Sequence, residues 1–252
     1  MKLTNDLIRF FIKSVLSGVL MSALVPGAMA AEQDGGISLS RTRVVLTSTD
    51  KAQSITIKNH GQRTYLVKSA IAATPGGQEP VPFIVTPPLF RLEANSQNTL
   101  RILRQDIQGL AKDRESVFYL SAIMVPSSEK PDISEADSMS ARVSVGVQNI
   151  IKLFYRPAGL LMTPAQAEKA LIFTQHSHQV QVRNPTPYYL TFAHLSLDGV
   201  TVNVRDSVSM IPPFAQISYP VNGVVHKAQW SVINDYGGNS QPHQAAVQTG
   251  DG

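Results

Sequence analysis

Apolar and polar positions alternate in short runs along most of this chain, and turn residues separate the runs at intervals of about ten positions. A two-residue period marks strands with one face in a core and the other in solvent. Over the first half it predicts strands at Arg43–Leu46, Ser54–Lys58, Tyr65–Ile71, Phe83–Thr86, Thr99–Arg104, Ser116–Met124 and Ala141–Tyr155. The breaks at Asn59–His60–Gly61, Thr74–Pro75–Gly76–Gly77 and Glu93–Ala94–Asn95–Ser96 carry turn chemistry. Pro87–Pro88 is incompatible with a central strand and predicts a change of sheet. Seven strands at this spacing predict an immunoglobulin-like sandwich.

A second set follows Arg156–Pro157–Ala158–Gly159, where proline and glycine interrupt pairing. Its predicted strands are Leu171–Thr174, Val180–Arg183, Tyr188–Leu197, Val200–Val204, Ser207–Ile211, Ile217–Pro220 and Ala228–Ile233. Helical periodicity is almost absent. The expected fold class is all-β, with two immunoglobulin-like β-sandwich domains at 31–156 and 163–238 joined by a hinge at 157–162. Residues 239–252 are polar and glycine-rich and read as a flexible tail. The polar stretch Pro126–Ser140 reads as a long loop, a length often tied to function.

The longest strand-like run is Arg142–Pro157. Val143, Val145 and Val147 occupy one face, while Ser144 and Gly146 supply little packing on the other. That half therefore suits an edge offered to something outside the chain. Lys152 shares its face with Ile150 and Phe154. A lysine so placed either snorkels from the sandwich rim into water or waits for an anion, because burying it unpaired is costly. Arg43 allows the same two readings, a solvated edge charge or an anion anchor.

Residues 1–30 read as a secretory signal. Lys2, Arg9 and Lys13 precede an apolar run from Val15 to Val25, and Ala28–Met29–Ala30 supplies small residues for cleavage. The run is short for a membrane span, so stable membrane insertion is not expected. The leader accounts for half of the formal charge of +4. A remainder so close to neutral does not suit nucleic-acid binding. Cysteine is absent, which removes disulfides and thiolate chemistry even in an exporting compartment.

Six stretches then stand out: Ser40–Arg41–Thr42–Arg43–Val44, Thr86–Pro87–Pro88, Asp113–Arg114–Glu115–Ser116–Val117–Phe118–Tyr119, Ile151–Lys152–Leu153–Phe154–Tyr155–Arg156–Pro157, Asn184–Pro185–Thr186–Pro187–Tyr188–Tyr189 and Ile233–Asn234–Asp235–Tyr236–Gly237–Gly238. In this order across residues 37–238, they resemble the signatures of the PapD-like periplasmic pilus chaperones. The resemblance implies a non-enzymatic chaperone of the chaperone–usher pathway, without cofactor, whose two sandwiches form a boomerang around a cleft. Its implied partners are pilus or fimbrial subunits, completed by donor-strand complementation, and an outer-membrane usher; the compartment is the periplasm. By matching motif, Arg43 and Lys152 are the expected anchors for a subunit's C-terminal carboxylate, and Val143, Val145 and Val147 the donated side chains. Glu115, Arg156 and Asp235 match the family's interdomain charge network. Exposed valines leave self-association of the free chain open.

Physical reasoning links these parts. A one-residue slip puts every side chain of a lent strand on the wrong face, and two cations gripping a chain terminus fix the register. Burying three valines is worth about 5–9 kcal/mol in gross terms, and each charge-assisted bond adds roughly 1.5–3. Association costs about 4–15, so strand and anchor are needed together. One departure concerns the loop. Thirty-two residues separate Tyr119 from Lys152, long for the short-loop subgroup serving rod-like pili. The cysteine pair common in the long-loop subgroup is absent, and Asp132, Glu135 and Asp137 make the insert acidic. An enlarged short loop is the resulting expectation.

Other chemistry is sparse. His176 and His178 would share a strand face but lack a third ligand at metal-binding spacing. No nucleophile elbow, phosphate loop or catalytic carboxylate pair is recognisable. Trp230 reads as core of the second sandwich rather than a carbohydrate platform. The alternative function is an exported β-sandwich adhesin or glycan-binding module.

Overall fold

The computed structural model describes residues 36–127 and 145–250. The expected leader at 1–30, Val143 and most of the expected loop at 126–140 lie outside these residues. The first sandwich is built from β1 (Ile37–Leu39), β2 (Arg43–Thr47), β3 (Ala52–Asn59), β4 (Tyr65–Ala72), β5 (Phe83–Thr86), β6 (Leu89–Leu92), β7 (Gln97–Arg104), β8 (Ser116–Pro126) and β9 (Val147–Arg156). One sheet has the order β1-β3-β7-β5 and the other β2-β9-β8-β4-β6. The second sandwich follows helix α1 (Pro164–Ala167). It comprises β10 (Ile172–His176), β11 (Gln179–Arg183), β12 (Leu190–Leu197), β13 (Val200–Thr201), β14 (Met210–Ile211), β15 (Gln216–Pro220), β16 (Lys227–Val232), β17 (His243–Ala246) and β18 (Gln248–Thr249). Its sheets run β15-β11-β10-β18 and β13-β12-β16-β17, with β14 beside β12. Both sandwiches belong to one compact unit.

Alternation explains most of these strands. Phe118, Leu120, Ala122 and Met124 of β8 are buried while their neighbours are not, and β7 does the same with Leu100 and Ile102. The chain changes sheets across Pro87–Pro88: β5 pairs with β7 in one sheet, β6 with β4 in the other. At its C-terminal end β9 abandons alternation, with Leu153, Phe154 and Tyr155 all buried. Leu153 and Tyr155 enter the first core, whereas Phe154, on the opposite face, is covered by Tyr189 of the second sandwich. A strand covered on both faces reads as a continuous apolar run.

Trp230 is core. It is 1% exposed, packs on Phe173 at 4.8 Å between ring centroids, and donates its Nε1–H to the Glu168 carbonyl at 3.0 Å. The helix was hidden from periodicity by its brevity. Thr163 and Gln166 form a capping box at its start.

The expectation of a flexible tail over 239–252 is corrected for the residues described. β17 pairs with β16 from Lys227↔Ala246 to Trp230↔His243, and β18 pairs parallel to β10. Ala245 and Val247 pack against the second core. Burial alternates along His243-Gln244-Ala245-Ala246 although polarity does not, which hides this edge strand from its composition. A chain ending at Gly238 is therefore expected to lose about 2–3 kcal/mol of stability, or ~5–10 °C in melting temperature. Calorimetry of the truncated and full chains checks this, and equal melting would contradict the strand assignment.

Candidate functional site

The site forms where β2 meets β9. These strands run parallel, with Arg43 opposite Lys152, Val45 opposite Phe154 and Thr47 opposite Arg156. Partners in a ladder share a face, so the row Arg43–Lys152 and the row Thr47–Arg156 lie on the side turned from the first core, toward the second sandwich. β9 pairs with β8 along Val147–Tyr155, but with β2 only from Lys152 onward. Among the described residues, no strand occupies the second edge of Val147–Ile151. The two cations thus stand at the point where β9 changes from a doubly paired strand to one with a free edge.

Arg43 is 7% exposed. Its Nη1–H donates to the carbonyl of Ile233 at 2.9 Å, and its guanidinium lies 5.4 Å from the Phe154 ring centroid. Burial lowers its pKa, and the charges of Asp235 and Glu115 oppose that shift. Lys152 is half-buried, and among the described residues its ammonium makes no hydrogen bond or ion pair. Burial, then the like charge of Arg43, push its pKa below the ordinary lysine value. Two cations are thus held side by side, and among the described residues neither forms an ion pair. Such an arrangement costs stability and favours an anionic ligand.

Val145 and Val147, expected on the donated strand, are 71% and 53% exposed, and Ile150 is also exposed. Val147 lies opposite Met124, which is wholly buried in the small apolar cluster of Ile57, Val67, Leu92 and Ala122. Apolar side chains therefore continue beyond the rim of this core along the free edge. Gly146 approaches β8 closely, a Cβ there falling 3.4 Å from the Met124 carbonyl oxygen.

Glu115, Arg156 and Asp235 come together between the sandwiches. Arg156 Nε–H donates to Glu115 Oε1 at 2.7 Å, and its two Nη groups donate to the two Asp235 oxygens, each at 2.7 Å. The remaining Glu115 oxygen accepts the Tyr189 backbone N–H at 2.9 Å. The network thus joins the residue preceding β8 and the end of β9 in the first sandwich to two segments of the second. Glu115 is 4% exposed, and burial raises its pKa while Arg156 opposes the shift. For Arg156, burial disfavours the charge, but hydrogen bonds to Asp235 and the charges of both carboxylates outweigh it and hold the pKa above the ordinary value. The Tyr188 ring lies 5.0 Å beneath the same guanidinium.

Sequence reasoning assigned no role to Tyr188, Tyr189 or the Ile233 carbonyl, although it singled out the stretches containing them. The signal was present in Asn184. That side chain is fully buried; its Nδ2 donates to the Tyr188 and Pro212 carbonyls at 2.8 and 3.0 Å, and its Oδ1 accepts from the Thr186 hydroxyl at 2.7 Å. It builds the turn that delivers the two tyrosines to the interface. His176 ends β10, whereas His178 lies past Ser177 at φ 50° in the turn to β11. Among the described residues, no group of three or more His, Cys, Asp or Glu could hold a metal ion.

Two sandwiches, a cation pair on one ladder row and, among the described residues, an unoccupied strand edge beside it suit the binding of an extended anionic segment. Residues 36–161 match the PapD N-terminal domain of pili and flagellar-assembly chaperones, and residues 166–244 the C-terminal domain of the pili assembly chaperone PapD. The chaperone protein FimC of Escherichia coli K12 is 33% identical over 225 residues, 88% of each chain. The probable fimbrial chaperone ElfD of the same strain is 36% identical over 225 residues, 88% of this chain and 90% of its own. Among solved structures, the E. coli chaperone DraB superposes with a TM-score of 0.73 at 31% identity, covering 85% of this chain and 97% of its own. The SafB chaperone of Salmonella enterica, solved with SafA pilin, has the same TM-score at 29% identity over 84% and 97%. The chain belongs to the PapD-like family of fimbrial chaperones of the chaperone–usher system, a non-enzymatic family.

Replacing Lys152 with methionine removes a half-buried charge that has no partner among the described residues, and keeps the apolar stem. Lys152→Met is expected to raise the stability of the free protein by about 0.5–2 kcal/mol, a few degrees in melting temperature. Thermal unfolding of both proteins without a partner checks this, and a destabilised variant would mean that Lys152 is already paired.

Proposed function

We propose that this protein is a periplasmic chaperone that captures a fimbrial subunit by lending it the free edge of β9. Arg43 and Lys152 grip the subunit's C-terminal carboxylate, and the complex passes to an outer-membrane usher. The observation that carries this reading is the coincidence of the two cations with the end of the open edge. The subunit strand adds to Val147–Ile151 with backbone hydrogen bonds, while Val145 and Val147, together with Val143, fill its unfinished core. The carboxylate, held where β2 begins to occupy that edge, stops the added strand at one register. SafB, solved with a pilin, supports the partner class, and SfaE, a periplasmic chaperone with 28% identity, supports the compartment. The sequence reading of residues 1–30 as a secretory leader agrees with that location.

Glu115, Arg156 and Asp235 have a structural role in this reading. They clamp the sandwiches so that the cleft holding the cations keeps its shape. Breaking a buried pair by removing one partner leaves an uncompensated charge, at a cost on the order of 3–5 kcal/mol.

Co-purification from the periplasm, with the neighbouring fimbrial genes expressed, tests the proposal. Tagged wild type is expected to bring down a small sandwich-like subunit, whereas Lys152→Ala and Arg43→Ala fold but bring down none. Val145→Glu is expected to weaken recovery as well. Undiminished recovery by both anchor variants would overturn the anchor assignment. The pH dependence has a defined sign. Carboxylate binding requires protonated Lys152, so capture weakens as pH rises through its depressed pKa, below the range where an ordinary lysine would lose its charge.

A further inference from the structure

We propose that the turn Ile233–Gly238 of the second sandwich is the positioning element for Arg43, and thereby sets the carboxylate preference of a site that it does not itself contact. This inference rests on the capture reading above, and deepens it by giving the second sandwich a part in recognition.

Three contacts converge on this turn. Its first residue supplies the carbonyl that accepts from Arg43 Nη1 at 2.9 Å. Asp235, two residues on, takes both Nη groups of Arg156. Gly237, at φ 87°, rests against the residue preceding Arg43: a Cβ built on it would overlap Thr42 Oγ1. The turn is stiff. Asn234 Oδ1 accepts the backbone N–H groups of Tyr236 and Gly238 at 3.0 and 3.1 Å, and Asn234 N–H donates to the Gly238 carbonyl at 2.8 Å. Ile233 N–H is fixed in turn to the Thr191 carbonyl at 2.9 Å.

Arg43 needs such a support. Its neighbour on the ladder is Lys152, a like charge that repels it. A free guanidinium would swing from the row to relieve the repulsion and gain water. The Ile233 carbonyl and the Phe154 ring instead hold it beside Lys152, and a guanidinium that gives one N–H to a carbonyl keeps further donors for a carboxylate. Phe154 is itself backed by Tyr189, at 5.8 Å between ring centroids. The second sandwich thus preorganises one of the two anchors, which improves binding by reducing the ordering required when the ligand arrives.

The test uses two versions of one labelled peptide, with apolar residues at alternate positions and ending either in a free carboxylate or in an amide. The ratio of their affinities isolates the anchor, because a general loss of stability weakens both alike. Wild type is expected to prefer the acid. Gly237→Ala, which pushes the turn off Thr42, is expected to reduce that preference about tenfold, the loss of roughly one charge-assisted bond. Adding Thr42→Ala to Gly237→Ala removes the overlapping oxygen but leaves alanine strained at φ 87°, and is expected to recover part of the preference. Asn234→Ala loosens the turn without adding bulk and should reduce the preference even if Gly237→Ala fails to fold. Full acid preference in folded Asn234→Ala and Gly237→Ala proteins would overturn the positioning role while leaving the capture reading intact. A wild type that binds acid and amide equally would overturn the capture reading and this inference with it.

Discussion

The structure turns on two cations placed side by side, neither with an ion-pair partner among the described residues. Arg43 and Lys152 occupy one row of a parallel ladder, burial disfavours the charge of both, and the like charge of Arg43 adds to the cost at Lys152. A chain selected for stability alone would place a neutral residue there. Their position makes the cost intelligible. The row lies at the end of β2, where β9 stops being paired on both edges. Charge and unpaired backbone are thus left open at one point, and an extended segment ending in a carboxylate would satisfy both.

Most of the remaining architecture serves to hold that point still. The first sandwich fixes β2 and β9 through a core of Val44, Leu46, Leu153 and Tyr155. The second covers Phe154 with Tyr189, gives Arg43 a carbonyl, and is bound through Arg156 to Glu115 and Asp235. The interdomain network is buried at Glu115 and bidentate at Asp235, so its geometry is more restrictive than a surface ion pair's. Under the proposed capture reading, the interface contributes to recognition as well as to joining two domains.

The strands with one solvated face were legible because alternation needs no tertiary information. β7 and β8 show it, as does the sheet change at Pro87–Pro88, where proline chemistry restricts the backbone. The tail was misread because β17 is an edge strand made of polar and small residues, and it draws its order from Trp230 and β16 rather than from its own composition. Lys152 looked ambiguous for a similar reason. A rim position and an anchor share the same local pattern, and the pairing with Arg43 that bears on the choice exists only in the folded ladder. The Ile233 carbonyl was invisible because a backbone group leaves no mark in residue identity; the stretch around it was recognisable only as a whole.

Hydrogen exchange on β9 reads out whether a subunit is captured on the free edge of that strand. Exchange would be compared in the free protein and in its complex co-purified with a fimbrial subunit. The alternate amides of Val147–Ile151 that point away from β8 are expected to exchange readily in the free chain and to become strongly protected in the complex. Protection confined to other surfaces, with these amides unchanged, would contradict the account.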